Sequence, residues 1–137
     1  MPRILYIEDH EDTRELISIV LRQLDFEVVT ESSIENGIRL AIRDRYDLYL
    51  LDSWLTDGSG LELCRKIREF DSSTPILFYS AAAYEVDKAA AMASGAQGYL
   101  IKPTLTSELC EMIVTLISQS EANRSFVTNA NSDFNQH

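Results

Sequence analysis

Five residues of types suited to holding a divalent cation and a phosphoryl group are scattered along the chain: Glu8, Asp9, Asp52, Ser80 and Lys102. Each follows a short apolar run rich in β-branched or aromatic residues, so each is expected where a strand ends. In an open parallel sheet, ligands gather outside the carboxyl ends of the strands where strand order reverses. Three carboxylates within about 5 Å of one another repel by roughly 3 kcal/mol per pair at an effective dielectric near 20, so such a cluster needs a cation or a proton. Mg²⁺ suits it, because it takes hard oxygen ligands and commonly binds through one or two carboxylates plus a phosphate; Mn²⁺ is the alternative ion. A carboxylate can act as a nucleophile toward phosphorus, with transfer depending on in-line positioning and on neutralising the equatorial oxygens. Ser80 has a hydroxyl that can donate to a phosphoryl oxygen but no base near it in sequence, so it reads as a sensor. Taken singly, an acid pair is often solvated surface and Lys102–Pro103 a turn. What argues for a site is that all five residues fall at one predicted edge.

Strands are predicted at Ile4 to Ile7, Glu27 to Thr30, Leu48 to Leu51, Ile76 to Tyr79 and Gly98 to Ile101, alternating with amphipathic stretches of helical length. That alternation is the sign of βαβ units. Several runs are apolar on both faces, as a sheet covered on two sides requires. The predicted fold is α/β, a doubly wound five-stranded parallel sheet with helices on both faces. Leu16, Ile17, Val20, Leu21 and Leu24 form the expected stripe of the first helix, with Arg14, Glu15 and Arg22 outside it. Ser32 and Glu35 resemble a capping box for the second helix, and Gly95 suits a left-handed cap on the fourth. The fifth helix is expected from about 105 to 118, burying Leu109, Ile113, Leu116 and Ile117. From about 120 to 137 the chain turns polar and Asn-rich and reads as a flexible tail, with Phe126, Val127 and Phe134 as candidate anchors. Residues 1–119 form the expected domain.

The 137 residues fit one domain, 45% of them hydrophobic and 25% charged, which excludes global disorder and a multidomain enzyme. Twelve Lys and Arg against 22 Asp and Glu leave a net charge of −10, which disfavours nucleic acid and anionic membrane surfaces as partners. With neither a membrane-length apolar run nor a signal-peptide core, the expected location is cytoplasmic. Cys64 and Cys110 lack metal-type spacing and read as buried free thiols. Asn123, Arg124 and Ser125 spell a glycosylation acceptor that has no bearing outside a secretory route.

The acidic pair in "ILYIEDH", the acid in "LYLLDSWLTDGSG", the hydroxyl in "PILFYSA" and the lysine in "GYLIKP" together resemble the receiver domain of two-component response regulators over about residues 3 to 119. The resemblance implies a flavodoxin-like fold with strand order 2-1-3-4-5. It implies Asp52 as phosphoacceptor, with Asp9, Asp52, Glu8 and the Trp54 carbonyl around the metal and Ser80 and Lys102 on the phosphoryl oxygens. Tyr99 would be a switch residue, turning inward on activation and altering the face of the fourth helix, fifth strand and fifth helix. Pro103 and Gly60 would be structural. Two departures stand out. Thr56 occupies a position where the family often has proline, and Trp54 is bulky for its place, with a ring that could limit approach to Asp52. Gly58 and Gly60 still permit tight turns.

The resemblance further implies a signalling module rather than an enzyme, phosphorylated by a sensor histidine kinase or a histidine phosphotransfer protein. The downstream target is unspecified and homodimerisation is left open. Because the chain ends soon after the fifth helix, a stand-alone receiver with output through a partner is expected. An aspartate-nucleophile phosphatase should carry a second acid two residues after the nucleophile, where Trp54 stands. A flavin carrier is disfavoured by the anionic "EDHED" loop, which would repel a flavin phosphate. A receiver-like docking module that is never phosphorylated is the remaining alternative, and the full acceptor set argues against it.

Overall fold

A computed structural model describes the backbone of residues 1–135 and the side chains of residues 1–124. The chain alternates β1 (Arg3–Ile7), α1 (Glu11–Gln23), β2 (Glu27–Glu31), α2 (Ile34–Arg43), β3 (Leu48–Leu51), α3 (Gly60–Arg68), β4 (Ile76–Ser80), α4 (Glu85–Ser94), β5 (Gly98–Ile101) and α5 (Thr106–Asn135). The five strands form one sheet in the order β2-β1-β3-β4-β5, with every neighbouring pair parallel. The order reverses beside β1, so the ends of β1 and β3 flank the crevice that such a reversal opens.

Strand alternation divides the apolar residues between two cores. Leu5, Ile7, Tyr49, Leu51, Ile76 and Phe78 face one side, packing with Ile34, Leu63, Ile67 and Ala91 of α2, α3 and α4. Ile4, Tyr6, Leu48, Leu50, Leu77 and Tyr79 face the other, under Leu21 of α1 and Leu109, Ile113 and Leu116 of α5. Cys64 is buried and Cys110 partly so, and both are free thiols. Among the described residues, no helix is long and apolar enough to cross a membrane.

Four details differ from the sequence reading. Leu16 is 60% exposed, because the buried ridge of α1 runs through Ser18 and Leu21 with Ile17 partly covered. The cap of α2 is Ser33 rather than Ser32: its hydroxyl accepts from the Asn36 amide at 3.2 Å. A two-stranded antiparallel ribbon, Trp54–Leu55 against Gly58–Ser59, lies in the loop after β3. Finally, α5 does not stop near 118 but runs to Asn135 through the stretch read as tail. No Gly or Pro interrupts it, and polar side chains alone do not break a helix. The side chains of Phe126, Val127 and Phe134, and residues 136–137, lie outside the described residues. Gly95 caps α4 with φ 117°, as its type suggested.

Candidate functional site

Parallel pairing brings the site together. The Glu8 amide donates to the Glu31 carbonyl, the Asp52 amide to Ile7 and the Lys102 amide to Ser80, so the ladder continues past the strand ends and sets these residues side by side. After Asp9 the chain turns into α1, with the His10 ring accepting from the Thr13 amide as N-cap. Arg14 faces back over this turn, its guanidinium donating to the Glu8 carbonyl at 2.8 Å and the Asp9 carbonyl at 3.4 Å.

Glu8, Asp9 and Asp52 each offer a carboxylate oxygen, all within 4.8 Å of one another. Glu8 is 2% exposed and Asp52 8%, while Asp9 opens to solvent. The Lys102 ammonium lies 2.7 Å from Glu8 Oε1 and 3.8 Å from Asp52 Oδ1, bridging the two buried acids. It also lies 5.5 Å from the centre of the Tyr79 ring. The second Glu8 oxygen, Oε2, is buried with no hydrogen-bond partner among the described residues. Burial pushes the Glu8 carboxyl up to about 7, helped by the neighbouring Asp52 and opposed by Lys102. One lysine therefore does not neutralise the cluster, and a divalent cation, by favouring the ionised form, would satisfy the buried carboxyl oxygen that lacks a donor. The donor set, all carboxylate oxygens on a partly open rim, fits Mg²⁺.

Ser80 is fully buried at the end of β4, its hydroxyl accepting from the Ala82 amide at 3.1 Å. Tyr99 is buried, stacked on Phe78 with centroids 5.9 Å apart, and its hydroxyl donates to the Ala82 carbonyl at 2.7 Å. Ala82 thus ties the Ser80 and Tyr99 side chains to one peptide segment. The Lys102–Pro103 bond is cis and leads into α5.

The loop after Asp52 folds back so that the Gly60 amide donates to the Ser53 carbonyl at 2.9 Å, and a Cβ at Gly60 would collide with the Asp52 carbonyl oxygen. Thr56 sits in the ribbon's turn, and the loop is braced without proline. The Asp57 carboxylate accepts from the Ile34 amide at 2.8 Å and the Glu35 amide at 3.2 Å at the start of α2. The Trp54 side chain stands 66% exposed on the ribbon.

All five expected residues meet at this edge. The sequence reading missed Arg14, placed outside its helix stripe, and Asp57. The latter had a signal, since Asp-Gly is a strong short-range hairpin mark.

A family model described as the response regulator receiver domain matches residues 4–114. The response regulator ArlR of Staphylococcus aureus is 35% identical over 117 residues, covering 85% of this chain and 53% of that protein. The chain thus spans about half the length of the curated relatives it matches. Two solved structures are similar. The receiver domain of the sensor histidine kinase PA1611 from Pseudomonas aeruginosa, with a magnesium ion in its active-site cleft, is 29% identical with TM-score 0.80, covering 85% of this chain and 98% of that one. The BeF₃-activated receiver domain of RstA from Klebsiella pneumoniae is 26% identical with TM-score 0.80, covering 84% and 97%.

Proposed function

The chain belongs to the response regulator receiver domain family, and from that premise we propose that Asp52 is its phosphoacceptor, with Glu8, Asp9 and the Trp54 carbonyl completing a Mg²⁺ site. Receiver domains of two-component systems are signalling modules that take a phosphoryl group from a histidine kinase or a phosphotransfer protein. The observation that carries the residue assignment is the clustering of three carboxylates within 4.8 Å with one buried Glu8 oxygen unpartnered.

An Asp52 oxygen attacks the phosphorus of a phosphohistidine, the P–N bond breaks, and the imidazole leaves. Held by Glu8, Asp9 and Asp52, Mg²⁺ would supply positive charge against the phosphoryl oxygens. Lys102 supplies the rest: its ammonium, already 3.8 Å from Asp52, moves from Glu8 onto a phosphoryl oxygen. The Ser80 hydroxyl donates to another oxygen. That shift pulls on Ala82 and so on the Tyr99 hydroxyl bonded to its carbonyl, coupling the acceptor to β5.

The output surface is the face of α4, β5 and α5. Val86, Met92, Ile101, Leu105 and Val114 are exposed large apolar side chains on these elements and the β5–α5 loop, which supports a protein target there. Pro103 and Gly60 act structurally, fixing the lysine loop and the acceptor loop. The test is acetyl phosphate with Mg²⁺: a mass gain of one phosphoryl group mapping to Asp52 is expected, and labelling elsewhere or none at all rejects the assignment.

A further inference from the structure

Among the described residues, four side-chain polar atoms are buried without a hydrogen-bond partner: Arg3 Nε, Tyr46 Oη, Glu8 Oε2 and Tyr6 Oη. The first two belong to one pair at the amino edge, where the Arg3 guanidinium lies 4.9 Å over the Tyr46 ring. The other two belong to residues on one face of one strand and its extension, since Tyr6 precedes Glu8 by two positions. Asp52 extends β3 on this face in the same way, beyond Leu50, which pairs with Tyr6. Tyr6 is wholly buried, so its hydroxyl has no bulk water to turn to. Phenylalanine would fill the same core volume without stranding a donor.

A stranded donor below a stranded acceptor makes sense if the two meet in another state of the site. In the present state Lys102 satisfies Glu8 Oε1. Once Lys102 is drawn to a phosphoryl oxygen, Glu8 loses its one side-chain donor among the described residues while still deeply buried. Carboxylates that face a metal ion are as a rule held by a hydrogen bond from behind, and loss of that bond costs roughly 10- to 100-fold in metal affinity. We propose that Tyr6 is the positioning residue for Glu8: in the phosphorylated state its hydroxyl donates to the Glu8 carboxylate in place of Lys102 and holds it toward the divalent ion. This rests on the reading of Asp52 as the acceptor.

The test uses the full chain with Mg²⁺ and beryllofluoride, read by emission of Trp54, the single tryptophan, and by thermal melting. Wild type must first bind beryllofluoride; if it does not, the acceptor reading fails and not this one. Tyr6→Phe is expected to melt at or above wild type without ligand, while its Mg²⁺-dependent beryllofluoride affinity drops about tenfold. In a Glu8→Gln background the same Tyr6→Phe change is expected to have little further effect, because the donor acts through that carboxylate. Unchanged beryllofluoride affinity in Tyr6→Phe, or an undiminished loss in the Glu8→Gln background, overturns the proposal and leaves Tyr6 as core filling.

Discussion

At the amino edge of the sheet the Asp71 carboxylate accepts from the Tyr49 hydroxyl at 2.9 Å, from the Ser73 amide at 3.1 Å and from the Thr74 amide at 3.0 Å. At the carboxyl edge Glu8, more deeply buried, has one ammonium on one oxygen and nothing on the other. The amino edge is further stapled by Arg68, whose guanidinium donates to the Gly95 carbonyl, the Asp71 carbonyl and the Gln97 amide oxygen. Gln97 in turn accepts from the Ile76 amide at 2.8 Å. A cavity of about 600 Å³ against Pro75, Gln97 and Leu116 lies on that side, and among the described residues no carboxylate lines it. Around Asp71 and Arg68 the amino edge therefore spends its polar groups on closing the fold, and the carboxyl edge leaves charge uncompensated where a ligand can settle it. An acid with three donors is structural, whereas a buried acid cluster short of donors is a binding site in waiting.

The sharpest way to break this comparison is to neutralise the proposed acceptor. Asp52→Asn should abolish acetyl phosphate labelling altogether, yet leave the fold intact or firmer, since it removes one of the mutually repelling charges. Intact-mass measurement and a melting curve check both halves. A variant that still labels would move the acceptor elsewhere.

Lys102→Ala comes next. It takes away the ammonium that bridges Glu8 and Asp52, so phosphorylation should remain partly possible while phosphorylation no longer changes target binding. The measurement is partner affinity with and without beryllofluoride. Normal phospho-dependent affinity in the mutant would contradict the role given to this side chain.

The two edges should also respond to pH with opposite signs. Glu8 keeps its proton to about pH 7 when folded, against an ordinary value of 4.5, chiefly through burial. Between those values the folded chain binds more protons than the unfolded one, so stability falls as pH rises through the window, by up to about 3 kcal/mol. Burial pushes Asp71 the other way from its hydrogen bonds, but the Thr74 amide and the other donors win and its carboxyl lies below the usual value. Its contribution is present above the unfolded value near 3.8 and is lost as pH falls through the lower folded one. Denaturant melts in a chelator should show Glu8→Gln flattening the slope between pH 4.5 and 7. Asp71→Asn should cost about 2 kcal/mol at neutral pH and flatten the acid limb only. If both variants changed the same limb, the contrast between the edges would fail.

The carboxyl edge was legible in sequence for the reason that it is left unsatisfied. Glu8, Asp9, Asp52, Ser80 and Lys102 each follow an apolar run, and parallel pairing does the rest, so type and position were enough. The role of Arg14 depends on carbonyls whose direction no local pattern encodes, and that of Asp71 on the Tyr49 hydroxyl, a partner distant in sequence. A helical stripe defined by apolar residues alone points to Leu16 and overlooks Ser18, which is buried by returning its hydroxyl to the Arg14 carbonyl at 2.6 Å. The length of α5 is not legible from composition, since a polar, Asn-rich stretch without Gly or Pro holds no residue that stops a helix.

The smallest effect falls on Asp57, where the carboxyl edge borrows the amino edge's device. Like Asp71, Asp57 accepts from two successive backbone amides, here at the start of α2, and its carboxyl is also lowered although burial opposes this. Unlike Asp71 it is exposed, so water replaces much of what a substitution removes. Asp57→Ala should cost about 1 kcal/mol, the scale of a helix cap, and should slow acetyl phosphate labelling only by loosening the ribbon that leads from Asp52 to Gly60. Labelling rate measured against melting temperature separates the two consequences. A loss of labelling as complete as that of Asp52→Asn would mean that the brace belongs to the chemistry, and that the two edges are less distinct than their hydrogen bonds indicate.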